Sequence, residues 1–191
     1  LLAMVPKRND SYMFHHPNIG LVPKLAECMG LDIVVEETEG EKEKELEDLR
    51  RALETLGPDQ VYSGAVASNY QKTRIDQICD ELGIESVAPL WWRPQEEVLA
   101  EEVGSGMEIL IIGVYAEGLD ESWLGRRLDE EAAAELRAMN LSPIGEGGEF
   151  ETLVVDAPFF EKRLEITKAE NDWDGVRGVY EVKKARVVSK S

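Results

Sequence analysis

The sequence predicts an α/β protein: a parallel, Rossmann-like sheet covered by helices, followed by a small C-terminal mixed or antiparallel extension. Short aliphatic runs alternate with stretches whose apolar residues recur at helical spacing. Several of those runs, "ILIIGVYA" at Ile109–Ala116 above all, are continuously apolar, as strands buried on both faces of a parallel sheet are. From about Glu146 onward the pattern turns to two-residue alternation, the signature of half-buried antiparallel strands.

Taken in order, "LLAMV" reads as the end of a buried strand whose beginning is absent, so the chain is expected to be a fragment. A polar loop from Pro6 to Asn18 leads to a short helix that stops at Gly30, and "LDIVVEE" (Leu31–Glu37) is a strand. "EKEKELEDLRRALETLG" places Leu46, Leu49, Leu53 and Leu56 on one helical stripe and ends at Gly57-Pro58. Its acidic first turns suit the helix dipole, and its charge run is a solvated face. "DQVYSGAV" (Asp59–Val66) is a strand. The helix "SNYQKTRIDQICDELG" follows, with Ile75, Ile78, Cys79 and Leu82 aligned and Ser68 and Gln71 at capping-box spacing. Next come an apolar piece at Val87–Trp92, the helix "PQEEVLAEEVG", the strand at Ile109–Ala116, and a helix over Leu128–Asn140. In the last part "RLEITKA" and "GVYEVKKARVV" flank "ENDWDG". The alternation slips phase after Tyr180/Val182, which predicts a bulge near Lys183–Lys184.

Composition narrows the function. The 191 residues are 43% hydrophobic and 31% charged, as in a globular protein. With 39 acidic against 21 basic residues the net charge is −18, which argues against a nucleic-acid binder. A phosphate ligand remains open to such a chain, through backbone N–H groups, a few Arg or Lys, and magnesium. No apolar run approaches a membrane span and no signal-peptide pattern opens the chain, so no membrane partner is expected and the reading is cytoplasmic. Cys28 and Cys79 stand alone, as buried thiols in a reducing compartment.

Three segments carry chemistry-bearing residues. In "YSGAVASNYQKTR" (Tyr62–Arg74) a strand runs into a capped helix, whose N-terminus at the carboxyl edge makes an anion site, with Lys72 and Arg74 close behind. An ordinary capped βα loop is the alternative. "GLDESWLGRRLDE" (Gly118–Glu130) gathers Asp120, Glu121, Ser122, Trp123 and Arg126 directly after the most apolar strand; there Trp123 is alternatively a hydrophobic plug. In "GEGGEFETLV" (Gly145–Val154) Glu149 and Glu151 share a face opposite Phe150, and the glycines allow positive φ and close approach. Carboxylates gathered in this way call for a cation, whether magnesium, ammonium or a quaternary amine. His15 and His16 lack partners at metal-ligand spacing and read as structural.

Taken together, "SYMFHHPN", "SGAVASNYQKTR", "PLW", "GLDESWLGR" and "GEGGEFETLV", in this order, resemble the diphthine–ammonia ligase family of ATP-pyrophosphatase type. The resemblance runs from about Leu2 to Asp156. It implies an adenine nucleotide α-hydrolase-like fold, with residues 1–145 as an N-terminally incomplete nucleotide-binding α/β domain and 146–191 as an extension on the acceptor side. It also implies ATP with magnesium. ATP adenylates the carboxylate of diphthine on translation elongation factor two with release of pyrophosphate, and ammonia then displaces AMP to give diphthamide. The family's first strand, SGGKDS loop and first helix, a unit of roughly 30 residues, are not in the sequence, so the chain is expected to be inactive as given. A homodimer is an allowed arrangement.

By the same resemblance Ala3, Met4 and Val5 present backbone to adenine. Gly64, Ala65 and Ser68 line the nucleotide, and Gln71 or Arg74 supports it. Asp120, Ser122 and Arg126 sit over the reacting carboxylate as catalytic residues, with Glu149 and Glu151 taking protons or holding ammonium. Trp123, Glu146, Gly147, Gly148 and Phe150 face the acceptor. Independently of the resemblance, a trimethylammonium group binds aromatic faces backed by carboxylates, so Phe150, Trp123 and Trp91 or Trp92 with Glu149 are expected to cage it while another glutamate holds ammonium and takes its proton. Magnesium binding by the same glutamates is the rival reading. A non-catalytic module that docks the elongation factor, and another amidating or thiolating enzyme of the same type, are the alternatives.

Overall fold

The structure, a computed structural model, describes residues 1–7, 17–41 and 44–190; His15 and His16 lie outside them. The chain forms two compact units that interleave along the sequence. The smaller comprises Leu2–His15 and Val34–Pro94, and the larger Leu1, His16–Ile33 and Gln95–Ser191. This grouping differs from a division at 145, because residues 95–145 pack with the C-terminal strands.

In the smaller unit β1 (Leu2–Pro6) pairs in parallel with β2 (Val34–Thr38). Helix α2 (Lys44–Leu56) buries Leu49, Ala52 and Leu53 against Met4 and against Ile78, Cys79 and Ile84. The strand β3 (Gln60–Tyr62) pairs in parallel with β4 (Glu85–Val87) on either side of α3 (Asn69–Leu82). The capping signal is realised: the Ser68 side chain accepts a hydrogen bond from the Gln71 N–H at 3.4 Å, and Gly83 closes the helix in the left-handed conformation. β3 is shorter than Asp59–Val66 because residues beyond Ser63 leave the ladder to form a loop.

In the larger unit α1 is Val22–Met29, α4 Gln95–Gly104 and α5 Glu130–Ala138. The strands β5 (Glu108–Val114), β6 (Phe150–Asp156), β7 (Lys162–Trp173) and β8 (Gly178–Ser189) form one sheet in the order β6-β5-β8-β7. Every pairing in it is antiparallel, which corrects the assignment of Ile109–Ala116 to a parallel sheet. β5 is continuously apolar because both of its faces are covered. Ile109, Ile111 and Val114 join a cluster with Leu99, Trp123, Leu136 and Phe150, while Ile112 joins Cys28, Leu153 and Leu164. One edge of β5 is taken by β6. The other is shared: β8 pairs with Gly113 and Val114, and the segment 125–128 bonds lower down, through Gly125 N–H to Ile111 O (2.8 Å) and Leu128 N–H to Ile109 O (2.9 Å).

The β7–β8 register jumps around Lys183, from Lys168↔Lys184 to Ala169↔Val182, so the phase slip in the sequence is a real irregularity of the ladder. Asn18 sits at φ +62, a conformation asparagine tolerates. Its amide donates to Tyr180 O (2.9 Å) and accepts from Val182 N–H (2.8 Å), doing for β8 what a neighbouring strand would do. No helix among the described residues is long and apolar enough to cross a membrane.

Candidate functional site

The expected site residues fall in both units. In the smaller unit the loop between β3 and α3 runs over Ala65 and Val66, both buried, with Gly64 exposed at its tip. A Cβ at Gly64 would meet no atom within 4 Å, so the backbone there is open to a ligand. Ser63 Oγ is buried, and among the described residues no hydrogen-bond partner reaches it. An orphaned hydroxyl in the loop that leads into a capped helix start is chemistry that an anionic group would complete. Ala3 and Met4 of β1 are buried and Val5 is half-buried.

The cations behind the loop are engaged inside the unit. Lys72 forms an ion pair with Asp76, which also accepts from Ser86 Oγ at 2.7 Å. Burial works against the Asp76 charge, yet the bonds from Lys72 and Ser86 hold its carboxyl below the usual range. The Arg74 guanidinium stacks on the Tyr70 ring at 3.5 Å. Gln71 is half-buried.

In the larger unit Asp120 caps the 3-10 turn Glu121–Trp123. Its Oδ1 accepts both the hydroxyl and the backbone N–H of Ser122, and these two bonds hold its carboxyl below the usual range. Arg126 lies with its guanidinium 4.4 Å from the Trp123 ring centroid and forks onto Glu135 of α5 at 2.7 and 2.8 Å. That fork holds the Glu135 carboxyl low in turn. Trp123 and Phe150 are each 3% exposed and belong to the core. The plug reading of Trp123 therefore describes its packing, and neither ring offers an open face to an acceptor.

The glycine–glutamate segment is a closed turn. Gly145 N–H donates to Ser142 O, Glu146 N–H to Ser142 Oγ, and Gly148 N–H to Gly145 O, while Ser142 Oγ donates to Gln95 Oε1 at the start of α4. The turn wraps the Glu149 carboxylate. Oε1 accepts from Ser142 N–H at 3.3 Å, and Oε2 is buried with no hydrogen-bond partner among the described residues. A Cβ on Gly147 would lie 2.5 Å from that carboxylate, which would have to give way. Glu149 O also accepts from Tyr115 N–H at 2.8 Å, fixing the turn to the end of β5. Among the described residues there is no group of three or more His, Cys, Asp or Glu placed to hold a metal.

Sequence reasoning missed Tyr115. Its hydroxyl folds back over Gly113, where a Cβ would stand 2.7 Å from it. Burial, reinforced by the Glu151 charge and opposed by Arg177, pushes its pKa up to about 12. A folded value above the unfolded one, about 10, means stability that is complete below pH about 10 and lost as pH rises through about 12. Tyr115→Phe is accordingly expected to flatten the alkaline limb of the stability curve in that window, read by circular dichroism; an unchanged limb would show that Tyr115 does not drive it.

Comparison with known proteins brings both units under one description. The model of the diphthamide synthase N-terminal domain matches residues 1–86, and that of the diphthamide synthase C-terminal domain matches residues 95–188. A diphthine–ammonia ligase of Schizosaccharomyces pombe is 37% identical over 180 residues, which cover 84% of this chain and 30% of that protein. Those of Danio rerio (34% over 183 residues) and Homo sapiens (32% over 180) are likewise matched over 84% of this chain, and over 71% and 67% of their own lengths. A solved structure from Methanocaldococcus jannaschii, described as a predicted subunit of tRNA methyltransferase, aligns over 82% of this chain and 83% of its own at 15% identity with TM-score 0.39, too loosely to bear on fold or function. With both domain models matched in order and relatives above 30% identity across most of its length, the chain belongs to the diphthine–ammonia ligase family.

Proposed function

We propose that the chain serves the ATP-dependent amidation of diphthine on translation elongation factor two, with ammonia as nitrogen donor and AMP plus pyrophosphate as products. The observation that carries this reading is the match of both family domains along the chain. The loop from Ser63 to Ser68 supports the nucleotide half of it: Ser63 Oγ, the open backbone of Gly64 and the α3 N-terminus would hold phosphate or ribose oxygens. The parallel pairs β1–β2 and β3–β4 support an adenine-nucleotide sheet in the smaller unit.

The chemical logic is that of carboxylate activation. A carboxylate resists ammonia until one oxygen becomes part of a good leaving group, which adenylation supplies. A base is then needed to take the proton of the attacking amine. Glu149 suits that task, since Oε2 is shielded and uncommitted while Oε1 is held by Ser142. Asp120, Ser122 and Arg126 would stand over the reacting carboxylate, pre-positioned by the Asp120–Ser122 and Arg126–Glu135 bonds. Magnesium finds no protein ligand cluster among the described residues, and no step is assigned to it.

The test incubates the protein with ATP, ammonium chloride and diphthine-bearing elongation factor, and follows AMP release with the mass of the acceptor. Amide formation matched by AMP supports the ligase. Binding of the factor without AMP release favours the docking module. Neither binding nor turnover would sink both.

A further inference from the structure

Trp92 combines two features that folding alone does not reward. Its backbone stands at φ +57, a left-handed conformation that is an outlier for a bulky side chain. The residue is 65% exposed, so burial returns little for the strain. The conformation is nevertheless anchored, since Trp92 N–H donates to the carbonyl of buried Val66 at 2.9 Å and ties the turn after β4 to the loop after β3. Beside it Trp91 meets the ring edge to face at 5.5 Å and 68°. Trp91 itself already carries a cation, for Lys72 Nζ lies 5.4 Å from its ring centroid with its charge balanced by Asp76. The pair therefore shows one indole occupied by an ammonium group of the chain itself and a second presented to solvent.

We infer that the exposed indole of Trp92 is a docking face for a quaternary ammonium group on the acceptor substrate. The inference rests on the ligase reading above, in which the acceptor side chain is a trimethylammonium. Indole has the most attractive face among the aromatic side chains for a cation, and an alkylated ammonium gives up water more readily than sodium or ammonium does. The net charge of −18 draws cations toward the surface. Trp123 and Phe150, the other aromatics expected to meet this group, are sealed in the core.

Titration with tetramethylammonium chloride, against sodium chloride at equal ionic strength, is expected to change tryptophan emission in the native protein. Trp92→Gly should abolish that response while folding at least as well, because glycine takes φ +57 without strain. Trp92→Phe should keep a weaker one. A response that survives in Trp92→Gly, or one matched by sodium chloride, overturns the docking face. Where the protein turns over acceptor, Trp92→Gly is expected to raise the acceptor KM about tenfold with kcat held; an unchanged KM overturns the inference and leaves the ligase reading standing. A tetramethylammonium response lost in Trp92→Gly, in a protein that neither binds nor amidates the elongation factor, retains the docking face and removes the ligase reading.

Discussion

Trp123→Ala is expected to lower the unfolding free energy by about 4 kcal/mol, measured by urea denaturation. The ring is buried among Leu99, Ile109, Ile111, Leu136 and Phe150, so truncation leaves a cavity where the sheet meets α5. It also removes the surface on which Arg126 rests while reaching Glu135, so the ion pair between the 118–128 segment and α5 loosens as well. Trp123→Phe should recover roughly half of the loss, because it restores most of the apolar volume but not the indole platform. If Trp123 were instead an open wall for a ligand, the alanine variant would unfold as the native protein does. Unchanged stability would therefore reject the core assignment.

Gly145→Ala is expected to cost about 3 kcal/mol. The residue lies at φ +72, and an added Cβ would stand 2.5 Å from the carbonyl oxygen of Phe150, a backbone atom that cannot swing away. Gly148→Ala supplies the control within the same turn. At φ +79 it has the same backbone problem, but its Cβ would meet nothing within 4 Å, so its cost should be about 1 kcal/mol. The difference between the two isolates the clash from the strain. Gly145→Ala should also release Glu149 from its wrapping, since the turn that bonds Ser142 to Glu149 closes through the Gly145 N–H. Equal costs for the two variants would show that close approach to Phe150 is not what selects glycine.

Local chemistry was legible in the sequence. The Ser68–Gln71 cap, the α2 stripe as far as Leu53 (Leu56 is exposed), the glycine stops and the β7–β8 irregularity follow from interactions among residues near one another in the chain, or across one hairpin. Pairing direction was not. A strand covered on both faces reads as a continuous apolar run whether its neighbours are parallel or antiparallel, and β5 has its partners in β6, β8 and the segment 125–128. The aromatics illustrate the same limit. Trp92 and Trp123 look alike in sequence, yet one is open and the other sealed, because only tertiary packing decides which indole is covered. Tyr115 carried a faint signal: in a strand, the residue two places from a glycine lies on the same face and can fold into the space it leaves. Lys72 and Arg74 were visible as charges, while Asp76 and Tyr70, which engage them, became partners only once α3 had formed.

The grip of Asn18 on β8 has a consequence for how the protein comes into being. The two residues of that contact are separated by 162 positions, and the intervening chain includes the Val34–Pro94 part of the smaller unit. During synthesis, α1 leaves the ribosome early and must then wait, its apolar side uncovered, until the last strands have been made. The stretch from Val34 to Pro94 faces no such delay, because its partners within the smaller unit precede or accompany it. The smaller unit can thus close while the larger still waits for β7 and β8, and that interval is when the Cys28 and Leu21 surface is open to aggregation.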